Sequence, residues 1–149
     1  MTSLIKEIIE KKRYSFHEGF DSWEEAIRAA CIPLVSDGSI EDFYPDEIIA
    51  NVHKFGPYIV IAPDVCIPHA QEGNGVNETA ICFMKTERPV DFGPEAEYDA
   101  TIFFVLASTD NDEHMKNLVA LVELLENEEK FEILKGSKKI EDLYPLIKE

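Results

Sequence analysis

Basic side chains are scarce in this chain. It has 14 Lys and Arg residues against 30 Asp and Glu residues, which gives a formal net charge of −16 over 149 residues. Nucleic-acid-binding proteins neutralise backbone phosphates with Lys and Arg, so this charge argues against direct nucleic-acid binding. It favours instead docking to a basic or apolar surface of a partner protein.

Cysteine is also scarce, and long apolar runs are absent. Cys31, Cys66 and Cys82 are widely spaced and odd in number, so the sequence predicts no disulfide framework. Their apolar surroundings are typical of buried, unreactive thiols in a reducing compartment. No apolar run approaches the roughly 20 residues that cross a bilayer, and the first residues lack the apolar core of a secretory signal. We therefore expect a cytoplasmic protein without direct membrane insertion.

Glycine is limited to seven residues, and they form no nucleotide-binding loop. The turn-rich stretch at residues 71–77 contains Gly73 and Gly75, which allow backbone to approach a ligand closely. No Gly-Lys-Ser/Thr sequence follows them, so this is not a Walker-type phosphate loop.

The length of the chain is that of one domain, and its patterns predict a mixture of helices and strands. The apolar run at residues 100–107 predicts a central strand. Other strands are predicted at residues 13–16, 58–62, 65–67 and 79–84, with a connector at 85–92 in which Val90 is a candidate for a further short strand. Helices are predicted at residues 3–12, from 22 to before 38, 39–55, 112–126, 128–134 and 140–147. We expect a single α/β domain over residues 1–149, with a mixed parallel and antiparallel sheet of about five strands and helices on both faces.

The stretch at residues 56–70 is the most informative about function. A Gly-Pro turn opens it, and the apolar, β-branched run at residues 58–62 predicts a strand buried on both faces. A Pro-Asp pair ends that strand, and a second short extended piece follows. Pro68 then fixes the backbone just before His69. The pattern predicts a histidine on a stiff, non-helical support at the edge of a buried sheet.

A second histidine, His114, lies in the first turn of the predicted long helix. Positions 114, 118, 121 and 125 align along that helix, so His114 should face the sheet. Sites in open α/β sheets gather beyond the carboxyl ends of strands, and the strand ending at residue 62 would deliver His69 to the same edge. We predict that both histidines share one pocket beside a helix N-terminus, which suits a phosphoryl group. The alternative is a helix-capping or core-edge histidine.

Several motifs occur in a fixed order along nearly the whole chain. They are Gly56-Pro57-Tyr58, Ile61-Ala62-Pro63, Pro68-His69-Ala70, Gly75-Val76, Pro89-Val90-Asp91-Phe92-Gly93 and Asp110-Asn111-x-x-His114. This ordered set resembles the enzyme IIA components of the bacterial phosphoenolpyruvate-dependent sugar phosphotransferase system. Among these components, the set resembles those of the mannitol/fructose-type superfamily, and within that superfamily it resembles the ascorbate-like branch.

The resemblance implies a phosphotransferase that works as a phosphohistidine relay. His69 would accept a phosphoryl group from the histidine-containing phosphocarrier protein and pass it to a cysteine of an enzyme IIB component for sugar uptake, with ascorbate as one candidate sugar. His114 would hydrogen-bond the phosphoryl group without carrying it. Such a relay needs no cofactor and no metal. The oligomeric state is open, with a homodimer among the alternatives.

Three residues depart from the ascorbate-like pattern. Gln71 stands where Arg is usual, which removes a plausible phosphate contact. Asp64 and Cys66 stand where small apolar residues are more usual, and Asp64 adds negative charge near the site if it points that way. These departures leave open a regulatory enzyme IIA paralogue, whose His69 phosphorylation state controls binding to another protein. Two weaker alternatives are a zinc site at Cys66, His69 and His114, and a Cys-His hydrolase using Cys66.

Overall fold

The computed structural model describes residues 4–147, which form a five-stranded mixed sheet flanked by helices. The elements in chain order are α1 (Leu4–Glu10), β1 (Tyr14–His17), α2 (Trp23–Ser36), α3 (Tyr44–Phe55), β2 (Val60–Ala62), β3 (Asp64–Cys66), β4 (Ala80–Val90), β5 (Ala100–Ala107), α4 (Asn111–Glu126), α5 (Glu128–Gly136) and a 3₁₀ helix (Ile140–Ile147). Residues 1–3 and 148–149 of the predicted domain lie outside this range. They include Ser3, the first residue of the helix predicted at residues 3–12. No helix between residues 4 and 147 is long and apolar enough to span a bilayer.

The strand order β1-β4-β5-β3-β2 places β5 in the middle of the sheet, as its apolar run predicted. β5 is antiparallel to β4 and parallel to β3, with Cys66 of β3 opposite Phe103 of β5. The mixed sheet is thus confirmed. Because β3 and β5 are parallel, the segments that follow them emerge at the same edge of the sheet.

Helices cover both faces of the sheet, as predicted. They enclose two apolar clusters, one on each face. Phe103 and Val105 of β5 belong to the cluster under α2 and α3. Phe104 and Leu106 belong to the cluster under α1, α4, α5 and the 3₁₀ helix, where Leu121 of α4 is also fully buried. A strand covered on both faces carries apolar residues at every position, which explains the unbroken run.

The prediction of a strand buried on both faces at residues 58–62 is wrong. β2 has three residues and forms the edge of the sheet in the described chain, with Ile61 45% exposed. The first residues of the run are used in turns, since the Tyr58 N–H donates to the Gly56 carbonyl at 2.7 Å and the Val60 N–H to the Pro57 carbonyl at 3.1 Å. The strand that leads to His69 alongside β5 is therefore β3.

The predicted helix at residues 39–55 begins later, at Tyr44. Ser39 is buried, and its hydroxyl accepts from the Arg13 guanidinium at 2.9 Å and donates to the Asp37 carboxylate at 2.6 Å. Ile40 next to it pairs with Val76 in an isolated bridge, so tertiary contacts hold this part of the predicted helix in a non-helical conformation. Pro45 lies in the first turn of α3, where its missing N–H and fixed φ are compatible with a helix.

The predicted connector at residues 85–92 is largely wrong, because β4 continues to Val90. Lys85 lies opposite Phe16 of β1 on one side and opposite Ile102 of β5 on the other. Val90 still pairs with Ala100 beyond an irregularity in the ladder. Pairing with β1 as far as Thr86, the bond from the Arg88 N–H to the Glu18 carbonyl and the Val90 pair with β5 therefore extend the strand through a charged stretch that local propensity does not favour.

Candidate functional site

The segment that carries His69 follows β3 and is fixed to its neighbours by backbone hydrogen bonds. The Ile67 N–H donates to the Ile59 carbonyl at 2.8 Å, and the Leu106 N–H of β5 donates to the Pro68 carbonyl at 2.9 Å. Pro68 itself restricts the backbone next to His69. The predicted stiff support for this histidine is therefore present, with β3 rather than β2 as its base.

A buried tyrosine of α3 ties this segment to the central strand. The Tyr44 hydroxyl accepts from the Ala70 N–H at 3.1 Å and donates to the Leu106 carbonyl at 3.1 Å. Tyr44 is 1% exposed, and burial raises the pKa of its hydroxyl. It therefore stays protonated and keeps both hydrogen bonds.

The two nitrogens of the His69 ring have different roles. Nδ1 lies 2.7 Å from the Ile67 carbonyl oxygen, so in the neutral ring Nδ1 carries the proton and donates it to that carbonyl. Nε2 is then the unprotonated nitrogen. Burial lowers the pKa of His69, and proximity to His114 lowers it further, while the Ile67 bond and Glu72 act in the opposite direction. The ring is neutral at pH 7, as a nucleophile requires.

Tyr58 packs against the His69 ring and holds its backbone. The two ring centroids are 5.2 Å apart with nearly perpendicular planes, and the Tyr58 hydroxyl donates to the His69 carbonyl. Asn51 of α3 hydrogen-bonds to the Tyr58 side chain, and burial raises the pKa of that hydroxyl. Tyr58 thus links α3 to the histidine through a chain of hydrogen bonds.

The first turn of α4 brings His114 beside His69. Asp110 caps this helix, its carboxylate accepting from the Glu113 N–H at 2.9 Å and its carbonyl from the His114 N–H at 3.1 Å. The centroids of the His69 and His114 rings are 5.4 Å apart. Both histidines therefore line one pocket next to a helix N-terminus, and Asp110 and Glu113 serve the helix start.

This pocket has a volume of about 450 Å³ and lies open to solvent. It is lined by Asn51, Phe55, Tyr58, His69, Ala70, Gln71, Glu72 and His114. Within the described chain no Lys or Arg lines it, and Glu72 is its one carboxylate. Charge on a bound phosphoryl group would therefore be met by imidazole, by side-chain amides and by the positive end of α4.

The other two departures from the pattern lie outside this pocket. Asp64 begins β3, at the end of that strand away from His69, and its carboxylate pairs with Lys135 at 3.2 Å. Cys66 is fully buried, which raises the pKa of its thiol well above the usual range. No three His, Cys, Asp or Glu side chains between residues 4 and 147 are arranged to hold a metal ion. The hydrolase and zinc alternatives therefore have no structural support.

Sequence reasoning missed the supporting residues Tyr44, Tyr58, Asn51 and Glu72. Tyr44 contacts Ala70 from 26 residues away and Tyr58 contacts His69 from 11 residues away, so no spacing rule reveals them, whereas Glu72 follows His69 closely in the predicted turn-rich stretch. One signal was available for Tyr44, because a tyrosine at a core position of a helix needs a partner for its hydroxyl.

Comparison with known proteins identifies the family. The sequence model described as "Phosphoenolpyruvate-dependent sugar phosphotransferase system, EIIA 2" matches residues 7–149. The chain belongs to this EIIA family. It is therefore a phosphotransferase component of the phosphoenolpyruvate-dependent sugar phosphotransferase system, as the motifs predicted.

Individual relatives span nearly the whole of this EIIA chain. The ascorbate-specific PTS system EIIA component of Escherichia coli (strain K12) is 28% identical over 141 residues, which cover 94% of this chain and 92% of the relative. The mannitol-specific cryptic phosphotransferase enzyme IIA CmtB of Escherichia coli is 29% identical with a TM-score of 0.82, covering 91% of each chain.

A third match is the Escherichia coli complex of enzyme IIAMTL and phosphorylated enzyme IIBMTL. It has a TM-score of 0.77 and 22% identity, and it covers 91% of this chain and 94% of that chain. At this identity the match concerns the fold alone, and it agrees with the mixed sheet and flanking helices of the EIIA chain.

Proposed function

We propose that this EIIA protein carries the phosphoryl group on Nε2 of His69, and that His114 stabilises the group without carrying it. The bond from Nδ1 to the Ile67 carbonyl supports the proposal most directly, because it leaves Nε2 as the free nucleophile. The 5.4 Å separation of the two rings places a second imidazole beside it.

Phosphoryl transfer requires an in-line nucleophile and stabilisation of the transferring oxygens. Nε2 of His69 attacks the phosphorus of a donor phosphohistidine, a new N–P bond forms, and the donor imidazole leaves as its own N–P bond breaks. His114 and the first N–H groups of α4 meet the charge on the oxygens. The phosphorylated imidazole keeps a high transfer potential and can donate the group again.

The partners in this proposal are the histidine-containing phosphocarrier protein as donor and a cysteine of an enzyme IIB component as acceptor. The related complex of enzyme IIAMTL with phosphorylated enzyme IIBMTL supports the second partner. Phe55, which lines the pocket, is 66% exposed, and Met115, which follows His114 in the chain, is 48% exposed. These apolar side chains offer a docking surface. Both histidines come from one chain, so the relay itself needs no homodimer. The proposed location is the cytoplasm.

We propose that the sugar taken up by the transport system that this protein serves is ascorbate. The Escherichia coli relative with which 94% of the chain aligns is ascorbate-specific. A mannitol-specific enzyme IIA is equally similar in sequence, so mannitol is the second sugar to test.

The experiment is intact-protein mass spectrometry after incubation with phosphoenolpyruvate, enzyme I and the phosphocarrier protein. The expected result is one acid-labile phosphate adduct, which disappears when the protein is separated from the donor mixture and mixed with the cognate enzyme IIB, and which reappears on the cysteine of enzyme IIB. Samples without phosphoenolpyruvate are the control. Absence of an adduct with competent partner proteins from the same source would overturn the carrier proposal.

A regulatory role is the second candidate, because Gln71 lines the pocket at the position where the ascorbate-like pattern usually has an Arg that could contact phosphate. In that case His69 is phosphorylated but the adduct stays in place when enzyme IIB is added. Binding to a separate target protein would then differ between the phosphorylated and unphosphorylated forms.

Replacing Tyr58 with phenylalanine should slow phosphoryl acceptance on the order of tenfold. The ring remains against His69, but the hydroxyl no longer holds the His69 carbonyl, and small misplacements of reacting groups cost up to about 100-fold. Rapid-quench measurements should show the loss in the maximal rate rather than in the phosphocarrier concentration for half-maximal rate. An unchanged maximal rate would contradict a positioning role for Tyr58.

His69 should titrate with a midpoint below the 6.5 of an unperturbed histidine, because burial lowers its pKa. The neutral, accepting form of the ring therefore predominates at pH 7, and phosphoryl acceptance is lost as pH falls through that midpoint. The unfolded chain binds this proton more readily, so acid also lowers the free energy of unfolding. An NMR titration, with His69→Gln to assign the resonance, measures the midpoint; a value above 6.5 would contradict the burial effect.

A further inference from the structure

An apolar groove of about 550 Å³ lies between the sheet edge and the α4–α5 corner. It is lined by Ile61, Ala62, Pro63, Val65, Val122, Leu125, Glu126, Glu128, Phe131 and Glu132. None of these residues lines the histidine pocket. Leu125 is 11 residues beyond His114 on α4, a distance of about 16 Å along the helix axis. The groove is therefore separate from the site of phosphoryl transfer.

The groove combines an apolar floor with an acidic rim. Glu126, Glu128 and Glu132 are exposed carboxylates, and no Lys, Arg or His of the described residues lines the groove. Lys135, which follows on α5, is paired with Asp64 at 3.2 Å, so its charge is already partly neutralised. The local potential is therefore negative, beyond the general effect of a net charge of −16.

One wall of the groove is an open strand edge. β2 is the last strand in the sheet order of the described residues, so it pairs with β3 on one side only, and Ile61 at its centre is 45% exposed. Exposed strand edges flanked by apolar pockets are a recurrent mode of recognition of protein segments. This geometry favours a polypeptide, which can use both the strand edge and the mainly apolar lining, over a small polar ligand.

We propose that this groove docks a cationic amphipathic segment of a partner protein. The apolar side chains of that segment pack against Val122, Leu125 and Phe131 of this chain, and its Lys or Arg side chains lie against the rim glutamates. A second copy of this chain is disfavoured, because its own net charge of −16 opposes approach to an acidic rim. The proposal goes beyond the phosphoryl relay, since neither histidine takes part. A partner held here could remain bound while the histidine pocket exchanges phosphoryl groups.

The test uses a short peptide with a Leu-Leu-Phe centre and lysines at both ends, titrated into the full chain and followed by NMR. A second peptide replaces the three apolar residues with serines. The expected result is that the apolar peptide binds at least tenfold more tightly and shifts resonances of the groove residues. Equal affinity for both peptides, or shifts centred on His69, would overturn the proposal.

A matched pair of charge-reversal variants separates the rim from net charge. The double variant Glu128→Lys, Glu132→Lys reverses two charges on the rim of the groove. The double variant Glu123→Lys, Glu129→Lys changes the net charge by the same amount at exposed positions outside the groove. We expect the rim variant to lose at least tenfold more peptide affinity than the control. Equal losses would show general electrostatic attraction only and reject the site. Phosphoryl acceptance should be unchanged in the rim variant, so this test is independent of the relay.

Discussion

Replacing His69 with alanine is expected to abolish phosphoryl acceptance, with a loss of at least about 10⁴-fold in rate. The proposed reaction has one nucleophile, Nε2 of His69, and removal of a nucleophile can cost about 10⁶-fold in other enzymes. His114 does not replace it, because in the proposed mechanism it stabilises the transferred group without carrying it. Intact-protein mass spectrometry after long incubation with the phosphocarrier protein measures the residual reaction.

The His69→Ala protein must be shown to be folded, because the Nδ1 bond to the Ile67 carbonyl is also lost. Urea unfolding of this variant beside His69→Gln provides that control. An acid-labile adduct that persists on a folded His69→Ala protein, at His114 or elsewhere, would disprove the assignment of the phosphorylated residue.

His114→Ala is expected to slow acceptance by about 10²–10³-fold without preventing it. A single preorganised donor to developing charge contributes this much in enzymes whose oxyanion sites have been mutated. The pocket offers no Lys or Arg within the described chain, so it has little to compensate for the loss. Rapid-quench kinetics should give a slow rise to the full wild-type stoichiometry.

His114→Gln is the matched variant, because its amide N–H can still donate to a phosphoryl oxygen. It should recover part of the rate lost in His114→Ala. If His114→Ala reacted at the wild-type rate, the proposed stabilising role would be wrong. If it lost all reaction as His69→Ala does, the two histidines would not have separate roles.

The elements that the sequence predicted well are those whose environment is uniform along their length. β5 is buried on both faces, so its apolar run marks the centre of the sheet directly. Ser22 caps α2 by accepting from the Glu25 N–H, a local interaction that the spacing of these two residues predicts. The wrong predictions fall where residues distant in the chain determine the local secondary structure, as at β2 on the sheet edge and at Ser39 in the Arg13 network.

The same distinction applies to the pocket. His69 and His114 were correctly predicted to share one pocket, but the strand that brings His69 to this edge is β3, parallel to β5, and not the predicted strand ending at residue 62. The hydrogen bonds of Tyr44 and Tyr58 could not be predicted, since each joins residues far apart in the chain. Nor could the direction of Asp64, which pairs with Lys135 of α5 instead of facing the histidines.

The most direct test is the identity of the phosphorylated nitrogen, read by ¹⁵N NMR of the phosphorylated protein with labelled histidine. Because Nδ1 of His69 is bonded to the Ile67 carbonyl, the phosphoryl group should be on Nε2. Phosphate on Nε2 of His69 would support the proposed geometry and chemistry together. Phosphate on Nδ1 would contradict the account, because that bond would have to break before transfer.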